Sequence, residues 1–174
     1  MPNTPLYPFG FGLSYTQFAY SSIRLNKTQL IGDDDQLIAE INIENIGSYD
    51  GEEVVQLYIT DPVSTVTRAV RELKNFQKIF LRSKQTTNVT FLVTINDLKF
   101  YNTNLEYIWE QGEFLVHIGS NSVDTQTVQI HWLKTLNPWE HFFLVLSFEH
   151  TVNLSCIFAV KVSNFSFFFS LLLL

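Results

Sequence analysis

Carboxylates and histidines are the residue types in this sequence that could carry acid–base or metal chemistry. Glu52 and Glu53 are adjacent, so on a strand their side chains point to opposite faces and cannot act as a pair on one substrate. His117 and His131 fall on predicted strands without a cysteine or a third ligand nearby, as ordinary strand residues do. The sequence therefore predicts no catalytic residue and no metal site at these positions.

Three other patterns also favour structure over chemistry. The aspartates at residues 33–35 are consecutive, whereas a calcium loop places its acidic ligands at alternate positions and ends in Glu, so a solvated loop is predicted. Gly10 and Gly12 lack a preceding strand and a third glycine, which argues against a phosphate loop. Cys156 is the single cysteine and lies in an apolar run, so it predicts inert packing. No cofactor is expected.

Length and charge exclude further classes. A chain of 174 residues can bury a core without metals or disulfides. The formal net charge of -6 argues against binding to nucleic acid, which needs clustered Lys and Arg. The residues after Met1 show neither a basic nor an apolar region, so no signal peptide is predicted. The location is therefore either cytoplasmic or set by an N-terminal part outside this sequence.

The stretch at residues 45–60 organises the predicted fold. Gly47 and Gly51 suit a tight connection, and residues 37–44 and 53–60 on either side alternate between apolar and polar side chains. We therefore expect two antiparallel strands that seed a sheet. The predicted core face of the second strand carries Val55, Leu57 and Ile59, and the predicted half-exposed face carries Val54, Gln56, Tyr58 and Thr60.

Further alternating stretches complete the set. Strands are predicted at residues 18–25, 72–81, 86–93, 107–109, 112–119 and 125–132. A short helical turn near residues 96–101 would place Phe100 or Tyr101 at a corner between sheets. About seven strands, turn residues between them and almost no helical periodicity predict an all-β, immunoglobulin-like sandwich.

Three segments stand apart from these strands. Residues 5–16 are rich in Pro, Gly and aromatic residues, which predicts packing against another surface. Four charged residues, Arg68, Arg71, Glu72 and Lys74, predict a patch that caps a loop or meets a neighbouring domain. The tail, residues 133–174, is dominated by Phe, Leu, Ser and Val from residue 142 onward, and three interpretations stay open: a non-native extension, a membrane or surface anchor, or buried structure.

Four motifs follow one another in the sequence: Leu6-Tyr-Pro-Phe-Gly-Phe-Gly-Leu-Ser-Tyr-Thr16, Gly51-Glu-Glu-Val-Val-Gln-Leu-Tyr58, Arg71-Glu-Leu-Lys-Asn-Phe76, and Gly112-Glu-Phe114 with Ile118-Gly-Ser-Asn-Ser122. In this order they resemble the C-terminal end of family-three glycoside hydrolases, in particular bacterial periplasmic β-glucosidases. The resemblance covers residues 6–132. It leaves residues 133–174 without a counterpart.

The resemblance implies a fibronectin type III-like domain that follows a catalytic barrel and an α/β sandwich in a periplasmic or secreted enzyme. The family's catalytic carboxylates lie in those other domains, so no catalytic residue carries over. The implied organisation is a junction segment at residues 1–16, a sandwich at residues 17–132 and a tail at residues 133–174. The junction residues expected to contact the other domains are Tyr7, Pro8, Phe9, Phe11, Leu13 and Tyr15.

A second hypothesis is a stand-alone module that binds carbohydrate or protein. It predicts a row of exposed aromatic side chains, with Tyr58, Tyr107 and Trp109 as the candidates for sugar contact. The alternative for these three residues is ordinary core or cross-strand packing. A membrane partner is expected only if the tail is genuine.

Overall fold

The computed structural model describes residues 5–135 and the backbone of two further strands, Lys161–Val162 and Phe165–Ser166. The chain forms two compact units, residues 1–135 and 136–174, and each is described by itself. In the second unit the two strands pair antiparallel. The rest of the predicted tail lies outside the described residues. Across the described part of the chain, no helix has the length and apolar character needed to cross a membrane.

Residues 5–135 form a chain of strands interrupted by one short helix. The elements are β1 Phe18–Tyr20, β2 Arg24–Leu25, β3 Gln29–Ile31, β4 Gln36–Asn45, β5 Gly51–Thr60, β6 Glu72–Leu81, β7 Thr86–Thr94, α1 Ile95–Leu98, β8 Phe100–Tyr101, β9 Tyr107–Ile108, β10 Gly112–Gly119 and β11 Thr125–Leu133. The strands of the second unit are β12 Lys161–Val162 and β13 Phe165–Ser166. β3 lies in the connection between the predicted strands at residues 18–25 and 37–44. The polar composition of that connection gave no indication of a strand.

The strands of the first unit form two main sheets. In the first sheet, β7 pairs with β4 from Gln36 to Glu44, so β1 and β2 take the other edge of β4. The second sheet has the order β3-β11-β10-β5-β6, and β3 alone runs parallel to its neighbour. β8 and β9 form a separate hairpin. This architecture confirms the predicted all-β sandwich.

One core lies between the two sheets. Its fully buried members include Leu37, Ala39, Ile41 and Ile43 from β4, Val55 and Leu57 from β5, Val116 and Ile118 from β10, and Ile130 and Trp132 from β11. These positions alternate along their strands, as a pleated strand with one inward face requires. Each buried aliphatic side chain stabilises the folded state by about 1.5–3 kcal/mol. Burial of these alternating side chains therefore supplies most of the stabilising free energy of the fold.

The predicted pairing of β4 with β5 is wrong. β4 pairs with β7, whereas β5 pairs with β10 and β6 in the other sheet. Residues 46–50 therefore cross from one sheet to the other instead of closing a hairpin. Alternation shows that each strand buries one face, and two strands that face each other across a core satisfy this pattern as well as two paired strands do.

The buried side chain of Asn45 organises this crossing. Its Oδ1 accepts hydrogen bonds from the Thr16 hydroxyl at 2.6 Å and the Gly47 amide at 3.1 Å. Its Nδ2 donates to the carbonyls of Tyr49 at 2.8 Å and Leu81 at 3.1 Å. We call these five residues the Asn45 cluster. It joins the end of β4, the crossing, the end of β6 and Thr16, which lies two residues before the start of β1.

Two glycines make room for Thr16 in this cluster. A Cβ atom at Gly47 would lie 2.1 Å from the Thr16 hydroxyl oxygen, and one at Gly51 would lie 2.6 Å from the Thr16 methyl carbon. Any side chain at either position would displace Thr16 from Asn45, since real Cβ atoms do not approach so closely. The glycines predicted to serve a turn therefore serve close packing.

Replacing Asn45 by alanine should lower the free energy of unfolding by about 3 kcal/mol, because a buried hydroxyl and two carbonyls lose their partner. Urea unfolding measures this loss. Asn42→Ala is the matched control, since the Asn42 side chain lies on the same strand but bonds Asn88 at the surface, and it should cost less than about 1 kcal/mol. Equal losses in the two variants would contradict the role given to the cluster.

Candidate functional site

The N-terminal segment, residues 5–16, is held to the sandwich through its main chain and its small side chains. The Phe9 carbonyl accepts the Ser122 amide at 2.9 Å. The Gln56 side-chain amide donates to the carbonyls of Gly10 at 3.4 Å and Ser120 at 2.6 Å. With Thr16 in the Asn45 cluster, the segment is thus anchored near its middle and at its C-terminal end.

A tight turn fits the segment to the outer face of β5. The Phe11 amide donates to the Pro8 carbonyl at 3.1 Å, and Gly10 at the third position has a φ of +82°, as a type II turn requires. A Cβ atom at Gly10 would lie 2.1 Å from the Gln56 amide oxygen. Only glycine therefore supplies both the backbone conformation and the close approach to Gln56.

The large side chains of the segment remain at the surface. Phe9 is 66% exposed, Leu13 92% and Tyr15 99%. Tyr7 and Phe11 are also exposed, and their rings stack with centroids 5.2 Å apart, whereas Pro8 is half-buried. The structure thus brings the six predicted junction residues into one anchored strip, and five of them face solvent. Contiguous exposed apolar side chains of this kind mark contact surfaces.

An apolar groove of about 650 Å³ lies beside the strip. It is lined by Phe9, Tyr58, Val70, Arg71, Leu73, Ser122 and Val123. Val70 and Val123 are strongly exposed at its rim. Arg71 is fixed there by a hydrogen bond from its guanidinium to the Thr125 hydroxyl at 3.1 Å. The strip therefore continues into a groove with a cation in its wall.

The outer face of β5 is more buried than its sequence predicts. Tyr58 is 2% exposed, and Gln56 is buried beside it. The Tyr58 hydroxyl donates to the Gln56 side-chain oxygen, which links both residues to the segment at Gly10. Alternation in the sequence identified this face of β5. It could not show that the N-terminal segment covers the face, because the segment is distant from β5 in sequence and approaches it only in the folded chain.

The three residues predicted for sugar contact lie in different environments. Tyr58 is buried as described, and Trp109 is 5% exposed, with its indole N–H donating to Asp33 at 2.9 Å and its ring packed edge-on against Trp132. Tyr107 is exposed and lies 4.9 Å from the ring of Tyr101, its partner across the β8–β9 hairpin. The three therefore form no exposed row, and Tyr101 is the neighbour that sequence analysis did not single out for binding.

His117 is buried and bonded within the second sheet. Its Nε2 lies 3.0 Å from the Thr60 hydroxyl and its Nδ1 lies 2.8 Å from the Thr127 hydroxyl. Burial, with a smaller effect of the nearby Arg71 cation, lowers the pKa of His117 to about 4, so the ring is neutral at pH 7. His131 lies exposed on β11. No group of three or more His, Cys, Asp or Glu side chains within the described residues could hold a metal ion.

Arg68 caps the connection between β5 and β6, which is one of the two predicted roles of the charged patch. Its guanidinium pairs with Asp61 at 3.1 Å and Glu72 at 2.8 Å, and it lies over the Phe100 ring at 4.6 Å from the centroid. Burial raises the pKa of Asp61 more than Arg68 lowers it. Burial also raises the pKa of Glu72, but Lys74 and Arg68 more than offset it and the net shift is downward.

Comparison with known proteins identifies the domain. Residues 53–122 match the family described as fibronectin type III-like domain. The thermostable β-glucosidase B of Acetivibrio thermocellus is 41% identical over 121 residues, which cover 69% of this chain and 16% of that protein. The periplasmic β-glucosidase of Salmonella typhimurium is 39% identical over 120 residues, which cover 69% of this chain and 16% of that protein.

A solved structure agrees with these relatives. The β-glucosidase from Listeria innocua is 34% identical and superposes with a TM-score of 0.74, over 79% of this chain and 19% of that chain. This chain thus spans about 16% of the length of the curated relatives that it matches. The resemblance drawn from the sequence motifs is confirmed: residues 53–122 match a fibronectin type III-like domain, and the chain is similar to one part of several β-glucosidases.

Proposed function

We propose that this chain is the non-catalytic accessory domain of a longer β-glucosidase-type glycoside hydrolase, which removes terminal β-D-glucosyl residues in carbohydrate metabolism. The catalytic carboxylates of the retaining mechanism would come from the other domains. Support comes from the β-glucosidases that the domain matches, each over about 16% of its length. The role of the domain itself is to buttress its neighbours.

The observation that carries this proposal is the exposed N-terminal segment. It is bound to the sandwich through the main chain of Phe9 and Gly10 and through the hydroxyl of Thr16, yet Leu13 and Tyr15 are almost fully exposed. A free domain gains nothing by holding apolar side chains rigidly in water. Burial of these side chains against a catalytic domain would explain why the segment holds them in fixed positions.

The proposed partners are the barrel and the α/β sandwich of the same enzyme. The proposed domain organisation keeps residues 1–16 as the junction, residues 17–132 as the sandwich and residues 133–174 as the tail. The proposed compartment is the periplasm or the extracellular space, in line with the periplasmic β-glucosidase of Salmonella typhimurium.

A second candidate function, carbohydrate binding by the domain alone, is favoured by one observation. Tyr101 and Tyr107 form an exposed aromatic pair on a small hairpin, with ring centroids 4.9 Å apart. Tyrosine rings stack on the apolar faces of sugars while their hydroxyls bond water or sugar hydroxyls. On the described surface, Tyr101 and Tyr107 are the two exposed tyrosines whose rings contact each other.

The accessory role predicts that Phe9→Ala destabilises an assembled enzyme but not the domain alone. Residues 1–135 can replace the matching segment of the Acetivibrio thermocellus β-glucosidase B. In that chimera the substitution should lower the melting temperature, because burial of a phenyl ring contributes about 1.5–3 kcal/mol. In this chain by itself the loss should stay below about 0.5 kcal/mol.

Phe80→Ala is the matched control, since Phe80 is 58% exposed and lies on β6 outside the segment. It should leave both proteins nearly unchanged. A Phe9→Ala effect of the same size in the chimera and in the isolated chain would contradict the proposed contact.

Carbohydrate binding predicts that calorimetric titration of this chain with a soluble β-glucan gives saturable heat, and that Tyr101→Ala weakens binding about fivefold through the loss of one stacking ring. Calorimetry is preferable to tryptophan fluorescence, because Trp109 and Trp132 are buried. Tyr49→Ala, at another exposed tyrosine, is the control and should not change the heat. A flat titration would remove this second candidate.

A further inference from the structure

A polar crevice of about 550 Å³ lies beside the N-terminal segment and shares no lining residue with the apolar groove. The segment, β1, β5 and the connection between β10 and β11 all contribute to it. Its polar lining includes Ser14, Thr16, Tyr20, Glu53, Asp124 and Gln126. No lysine, arginine or histidine is among its lining residues, and the Arg71 guanidinium, which bonds the hydroxyl of the lining residue Thr125, belongs to the wall of the apolar groove. The crevice is therefore a recess of negative charge.

Glu53 is the half-buried carboxylate of this recess. Its Oε1 accepts the Tyr20 hydroxyl at 2.7 Å. No residue in the described part of the chain donates to its Oε2 or forms an ion pair with it. The neighbouring Glu52 points to the opposite face and pairs with Lys78 at the surface. Glu52 thus has a cationic partner, whereas Glu53 has none among the described residues.

The pKa shifts of Glu53 and Tyr20 agree with a carboxylate that has no cationic partner beside it. Burial raises the pKa of the Glu53 carboxyl, and the hydrogen bond from Tyr20 opposes this rise. Burial raises the pKa of the Tyr20 hydroxyl as well, with additional contributions from its hydrogen bond to Glu53 and from the Glu53 charge. Asp124 bonds the Asn121 side-chain amide at 2.8 Å through Oδ2. A cation placed beside Glu53 would relieve the cost of burying its charge.

We propose that this crevice receives a guanidinium group, that of an arginine side chain presented by the adjoining domain of the enzyme. The inference rests on the proposed function for the identity of the partner. A guanidinium carries its donors in a planar fork that suits the open Glu53 oxygen and the Ser14 hydroxyl.

The position of the crevice connects it to the apolar strip. Ser14 and Thr16 line it, while Leu13 and Tyr15 between and beside them face solvent. A partner surface that covers Leu13 and Tyr15 would therefore lie over the mouth of the crevice. The arginine would add a charge-paired contact at the edge of an apolar interface, which fixes the register of the two surfaces.

The probe for this site is N-acetyl-L-argininamide, and N-acetyl-L-citrullinamide is its uncharged counterpart of the same shape. Each is titrated into the full chain while amide chemical shifts are followed by NMR. We expect the arginine compound to shift the amides of Gly12 and Gly119, which line the crevice, in a saturable manner. The citrulline compound should shift them far less.

Glu53→Gln should weaken binding of the arginine compound about tenfold, since it removes the charge from a charge-assisted hydrogen bond. Glu52→Gln makes the same change one residue away on the other face and should leave binding intact. Thermal unfolding of both variants checks that each is folded. If Glu53→Gln does not fold, Ser14→Ala provides the second test and should also weaken binding.

Equal shifts with the two compounds, or unchanged binding in folded Glu53→Gln, would overturn the proposed site. These results are independent of the chimera experiment on Phe9. If the arginine compound binds but Phe9→Ala does not destabilise the chimera, this site is supported and the proposed interface is not. If Phe9→Ala destabilises the chimera but the arginine compound does not bind, the interface is supported and this site is not.

Discussion

The hydrogen-bonded side chain of Asn45 is the interaction on which the rest of the domain depends. It is fully buried, and its amide bonds one hydroxyl, one backbone N–H and two backbone carbonyls. A buried amide with satisfied donors and acceptors is stabilising and directional, whereas the same group without partners would be costly. The chain can therefore cross between the sheets at residues 46–50 in one way, and Thr16 is held against the crossing in the same step.

The N-terminal segment follows from this constraint. Thr16 is fixed at the C-terminal end by Asn45, and Gly10 is fixed near the middle by Gln56, so small residues and main-chain groups face the sandwich. The large side chains of Phe9, Leu13 and Tyr15 then face solvent. A segment that satisfied only this domain would turn its apolar side chains inward. The division between a polar inner side and an apolar outer side is what a junction between two domains requires, and it underlies both the proposed accessory role and the proposed arginine site.

Sequence reasoning predicted the strands well where alternation decides them, as in β7, which was predicted at residues 86–93 and is observed at Thr86–Thr94. It predicted the wrong partner for β4, because alternation reports a buried face and not the neighbour across it. It left Tyr58 and Trp109 open between sugar contact and ordinary packing, since aromatic residues suit both a binding surface and a core. The roles of Asn45 and Gln56 were not predictable, because their partners lie up to 64 residues away in sequence and no local pattern encodes them.

Hydroxyl-radical footprinting of this chain tests the central claim most directly, because side-chain oxidation follows solvent exposure. An anchored segment with outward side chains predicts fast oxidation of Tyr15 and Phe9, which are 99% and 66% exposed, and protection of Tyr58, which is 2% exposed. Tyr49, another exposed tyrosine, sets the rate for an accessible ring. Protection of Tyr15 together with rapid oxidation of Tyr58 would contradict the claim, since it would mean that the segment does not cover β5 and does not present its apolar side chains to a partner.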